Sequence, residues 1–187
     1  ETPQRENLPI VVIAVGFGRE RTVGYWEPDK IADYGPDESW VVGGSGDGAL
    51  IDIARLRVHG KDYYQTLQHI ASSTPSLISI QLTALERHAT NLARADRSKR
   101  RIAGVLHSGT SRIIHSNKNA LTALRTHLNL RSDTSVTVVS STRHPYSLNA
   151  SPLNRWVLAL LEAWDDDLHF EEGRLIGSNL QREENGS

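Results

Sequence analysis

The spacing of apolar and polar positions changes character several times along the chain. Residues 10–15 form a continuous apolar run rich in β-branched side chains, which suits a strand buried on both faces, as in a parallel sheet. Gly16 and Gly18 end it, and residues 19–39, polar with Pro28 and Pro36, read as a loop. Residues 40–42 are a second short strand running into the glycine turn 43–48, "GGSGDG". From Ala49 the period becomes helical: Leu50, Ile51, Ala54 and Val58 share one face, Arg55 and Arg57 take the polar one, and Gly60 follows as a C-terminal cap. Helical spacing continues through Tyr64, Leu67, Ile70 and Ala71, then over 76–95 through Leu82, Leu85, Ala89 and Leu92. Residues 94–101, "RADRSKRR", read as a solvated turn.

The last third alternates strand and helix. Residues 111–116 predict a short strand, 117–128 a helix capped by Asn117, and 135–141 a strand of strong β character. The clearest helix spans 151–164, with Ser151 as N-cap, Pro152 at its first position, and Leu153, Trp156, Val157, Leu160, Leu161 and Trp164 repeating along one stripe. Strands interleaved with helices predict an α/β domain over 9–180 with a mainly parallel sheet and flanking helices, a helical insertion at 61–95, and flexible ends at 1–8 and 181–187.

Composition narrows the function. The 187 residues carry a formal net charge of -1, which argues against general nucleic-acid binding. No apolar run approaches the roughly 18 residues of a membrane span, and no signal peptide is visible, so a cytoplasmic protein without membrane contact is expected. The absence of cysteine excludes thiol nucleophiles, thiolate metal sites and disulfides from the chain. The chain begins at Glu1 and contains no methionine, which predicts a portion of a longer polypeptide.

The glycine turn is the strongest candidate for chemistry. In open α/β sheets ligands sit beyond the carboxyl ends of the strands. Glycines let the main chain approach a ligand closely, and the amides of a following helix start attract anions. Asp47 would repel a bare phosphate but can accept hydrogen bonds from sugar or ribityl hydroxyls, which suits a nucleotide cofactor. The simpler reading makes Asp47 the N-cap of its own helix and the glycines a tight turn.

The pair "VVIAVGFG" and "WVVGGSGDGALID" resembles the later half of flavoproteins with the two-dinucleotide-binding-domain architecture, over residues 9–58. The resemblance implies a Rossmann-like fold and an FAD-dependent, NAD(P)-linked oxidoreductase. In it Asp47 contacts the ribityl chain, Gly46, Gly48 and Ala49 lie along the flavin and pyrophosphate, and Gly16 and Gly18 stand near the crossover between the nucleotide-binding regions; the cofactor site as a whole, centred on 43–49, also takes in Gly43, Gly44 and Ser45. The adenine-end fingerprint G-x-G-x-x-G is absent, because Gly24 comes too late after Gly16 and Gly18. The rest of such a protein, an N-terminal part of the same polypeptide, would then be the chain's partner in holding FAD. "SGDGAL" is also similar to the GGDGT loop of diacylglycerol-kinase-like and NAD-kinase-like enzymes. Ser45 and Ala49 depart from that pattern, and the loss of the threonine hydroxyl weighs against phosphoryl transfer. A third alternative is a non-catalytic binding or assembly module.

Other groups carry weaker signals. His107, near Ser108 and Ser111, lacks a nucleophile elbow and an identifiable acid partner, so "LHSGTSR" reads as a polar loop. His115 and His144 have no metal-ligand spacing, and no metal is expected. Arg143, in a loop after a strand, can grip a phosphate or carboxylate. Asn154 and Arg155 read as a solvated helix face, residues 165–167 as solvated acid, and Tyr25 and Trp26 as ring-stacking or packing residues. No catalytic acid or base is assigned.

Overall fold

The computed structural model describes residues 10–13, 38–59, 63–176 and 179–182. It is a mixed α/β structure. Its elements run β1 (Ile10–Ile13), β2 (Glu38–Gly43), α1 (Asp47–Arg57), α2 (Tyr63–Ser73), α3 (Ser76–Ala95), α4 (Lys99–Ser116), a 3₁₀ turn (Lys118–Leu121), α5 (Thr122–His127), β3 (Thr134–Ser140), α6 (Pro152–Trp164), β4 (Leu168–Ile176) and β5 (Asn179–Arg182). The strands form one sheet in the order β1-β2-β3-β4-β5. β1 to β4 are parallel, with Ile13 opposite Gly43, Gly43 opposite Val139 and Val136 opposite Leu168, and β5 returns antiparallel to β4. Among the described strands the order advances in one direction only. Crossovers of the usual right hand then put their helices on the same face, and α1 and α6 do pack side by side.

Burial follows from this arrangement. Trp40, Val41 and Val42 of β2 and Val136, Val138 and Val139 of β3 are all buried, so the β-branched runs serve both faces of a central strand pair. α6 packs on α1, α2 and α4, and every residue from 154 to 161 is buried. That is why its sequence is apolar beyond a single stripe.

Several expected elements differ. Residues 111–116, expected as a strand, are the last turns of α4. Ile102, Ala103, Leu106, Thr110 and Ile114 are buried at helical spacing there, and packing on α3 and α6 overrides the local β-branched preference. "LHSGTSR" is likewise helix, not loop. The predicted turn 94–101 contracts to residues 96–98, because Ser98 caps α4 by accepting from the Arg101 amide (3.3 Å). Asn117 both ends α4 and stands at the N-cap of the 3₁₀ turn that leads into α5, but its side chain does not cap that turn: its Nδ2 donates to the Ile113 carbonyl (2.8 Å) and to Gln81 Oε1 (3.0 Å). β4 and β5 lie where the pattern predicts no strand.

Candidate functional site

The glycine turn sits at the carboxyl end of β2, in the middle of the parallel sheet. Gly43 is the last residue of the strand, and the Gly44 amide extends the ladder by donating to the Val139 carbonyl (2.9 Å). Gly44 has φ 121°, a conformation that side chains resist. Gly46 is different. It is the N-cap of α1 with φ −90° and ψ 176°, ordinary extended backbone. A Cβ at this position would meet no described residue within 4 Å, so none of the described residues demands glycine here. Gly48 and Ala49 are buried in the first turn, and the N-cap residue, a glycine, supplies no side-chain cap to the α1 amides.

Asp47 is the first residue of α1, not its N-cap. Its Oδ1 accepts from the Ser151 amide (2.5 Å) and from Asn154 Nδ2 (2.7 Å), while Ser151 Oγ accepts from the Asn154 amide (3.2 Å). The carboxylate therefore caps a neighbouring helix, α6, and its Oδ2 carries no hydrogen bond among the described residues. Asn154 and Arg155, expected on a solvated face, are both buried. Arg155 forms a two-pronged ion pair with Glu86 of α3 and donates to the Ser147 and Ala150 carbonyls. Gly16, Gly18, Tyr25 and Trp26 lie outside the described residues.

A second constellation lies between α4, the loop 141–150 and α6. Its geometry is as follows. His107 Nε2 is 3.0 Å from Glu162 Oε1, and His144 Nδ1 is 3.5 Å from the same oxygen. The two imidazoles stack, with centroids 3.5 Å apart and planes 10° from parallel. Tyr146 donates its hydroxyl to Glu162 Oε2 (2.7 Å). Burial pushes the Glu162 carboxyl up, but the hydrogen bonds from His107 and Tyr146 and the charge of the two imidazoles outweigh it and hold the carboxyl below its ordinary value. Burial pushes the His144 imidazole down, and the adjacent His107 adds to this. Burial, with the Glu162 charge, pushes the Tyr146 phenol well above its ordinary value.

This cluster borders a cavity of about 350 Å³ into which His107, Ser111, His115, Glu162 and Trp164 face, with Lys118 and Arg125 also on its wall. On its other side Tyr146 and Thr110 line a more apolar cavity of about 220 Å³ among α2, α3, α4 and α6. Neither cavity reaches residues 43–49. The acid partner missing from the sequence reading of His107 is thus Glu162. It stands on the most legible helix of the chain, where only its charge within an apolar stripe marks it.

No family model, curated protein or solved structure matches the chain. No described helix is long and apolar enough to cross a membrane.

Proposed function

We propose that the chain binds a nucleotide cofactor along residues 43–49, as the flavin-side portion of an FAD-dependent, NAD(P)-linked oxidoreductase-like protein built on a Rossmann-like strand–turn–helix unit. One observation carries this reading. Gly46 has an unstrained backbone, and no described residue occupies the space where a side chain would stand, which supports an approach to the main chain by a ligand. The position supports a cofactor, since it joins the carboxyl end of a parallel strand to a helix start whose amides favour negative charge. The ribityl role falls to Asp47 Oδ2, the oxygen not spent on α6. The adenine end is left to another part of the polypeptide. The phosphoryl-transfer alternative is weaker, because an aspartate that caps α6 with one oxygen is restrained from moving with a reacting hydroxyl.

The test is a binding titration of the longest available form of the protein with FAD, NAD(P)H and ATP, followed by flavin absorbance and fluorescence. Asn at position 46 keeps a favoured N-cap residue while filling the open space. Gly46→Asn is expected to retain thermal stability and to lose cofactor affinity at least about tenfold, a loss of about 1.4 kcal/mol. Unchanged affinity in the variant, or affinity for none of the three nucleotides, would sink the proposal.

A further inference from the structure

We infer that His107, His144 and Glu162 form a binding site for a zinc-class divalent cation. The inference is independent of the nucleotide proposal and rests on different residues. Each of the three side chains offers one ligand atom, and these atoms all lie within 4.8 Å of one another. Around a tetrahedral zinc with bonds of about 2.0–2.1 Å, ligand atoms stand about 3.3 Å apart. The two separations to Glu162 Oε1, 3.0 and 3.5 Å, bracket that value.

A second observation points the same way. His144 Nδ1 is buried, and among the described residues its polar neighbour, Glu162 Oε1 at 3.5 Å, does not make a well-formed hydrogen bond with it. A ring nitrogen taken out of water without a partner is costly, and a cation supplies that partner. The surrounding bonds hold the ligands in place. The Tyr146 hydroxyl fixes the second oxygen of Glu162. The backbone of His144 is pinned through its carbonyl, which accepts from Thr142 Oγ1 (2.7 Å) and from the Tyr146 amide (2.8 Å). Outer contacts of this kind orient metal ligands.

The donor set selects the metal. Two imidazoles and one carboxylate suit zinc, cobalt, nickel or copper, whereas calcium and magnesium prefer all-oxygen shells. Three protein ligands leave a fourth position. His107 and Glu162 both line the 350 Å³ cavity, so that position faces a space bordered by Lys118 and Arg125, suited to water or a small anion. The stacked rings add a constraint. Lone pairs of parallel imidazoles run side by side instead of converging, so binding has to splay the stack.

The experiment uses chelator-treated whole chain. Calorimetric titration with Zn²⁺ is expected to give one equivalent, and Co²⁺ is expected to develop the intense visible bands of a four-coordinate ion. His107→Ala, His144→Ala and the volume-conserving Glu162→Gln are each expected to weaken Zn²⁺ binding at least about tenfold, with helical circular dichroism unchanged. His115→Ala, on the same cavity wall but outside the ligand set, is expected to bind as the wild type does. The inference is overturned if the wild type binds no stoichiometric Zn²⁺, if the three variants bind it equally well, or if His115→Ala is as damaging as they are.

Discussion

A guanidinium removed from water has five N–H groups to satisfy, and Arg57 satisfies all of them at the amino-terminal end of the strands. Its Nε and one Nη2 hydrogen go to the two oxygens of Asp165 (2.7 and 2.8 Å), and the other Nη2 hydrogen goes to the Arg131 carbonyl (2.6 Å), with the more exposed Asp167 Oδ2 a longer second acceptor of Nη2 (3.3 Å). Nη1 donates to the hydroxyl (2.8 Å) and the carbonyl of Thr134. Removing one partner of a buried pair strands the other charge, whereas removing both does not. Asp165→Leu is therefore expected to lower stability by about 3–5 kcal/mol in urea unfolding. The double variant Arg57→Leu/Asp165→Leu is expected to recover part of that loss, and a purely additive result would refute the pairing. None of this was legible in the sequence. A helical wheel assigns Arg57 to the polar face by residue type alone, and Asp165 reads as solvated because its partner lies 108 residues away.

Elements were legible where local signals agreed with packing. β-Branched runs announced β2 and β3, and the Ser151–Pro152 start announced α6, whose N-cap forms as expected. The glycine turn was also visible, because glycine is itself the signal. α4 was misread because Gly109, Thr110 and Ser111 look like loop residues. In the structure Gly109 marks the close approach of α3: a Cβ there would stand 2.4 Å from Leu85 Cδ1. Thr110 turns its hydroxyl back to the Leu106 carbonyl (2.9 Å), a bond that helices tolerate. Gly109→Ala thus has opposing effects, a gain in helix propensity of about 1 kcal/mol and an overpacking cost of about 1–3 kcal/mol. The net expectation is a lower melting temperature, relieved by Leu85→Ala in the same chain. A stabilised single variant would show that the half-buried Leu85 side chain turns aside without cost. The histidine cluster escaped notice for a related reason. Its members come from α4, a loop and α6, so no short motif contains them, and the strand expected at 111–116 hid the helix that presents His107.

At the scale of the whole molecule, two layers meet on α6. The helices α2 and α3 are tied to it by polar contacts at their inner edge: Trp156 Nε1 donates to Thr74 Oγ1 (3.1 Å), and Arg155 pairs with Glu86. Arg155 is buried, and that carboxylate is the counter-charge its guanidinium contacts. Glu86→Gln is expected to cost about 2 kcal/mol, the magnitude of a charge-assisted hydrogen bond. Amide exchange should quicken in α2 and α3 while β2 and β3 keep their protection. Uniform loss of protection would mean that the layers unfold as one. On the sheet side of α6 the arrangement is tighter. Asp47, the first residue of α1, holds the start of α6, and Arg57, the last residue of α1, holds Asp165 just past the end of α6. The two helices are rails pinned at both ends. One residue inserted into either would turn everything beyond it by about 100° and pull out one pin. Their lengths are therefore matched to each other like the two sides of a gauge, and a change in one requires a compensating change in the other.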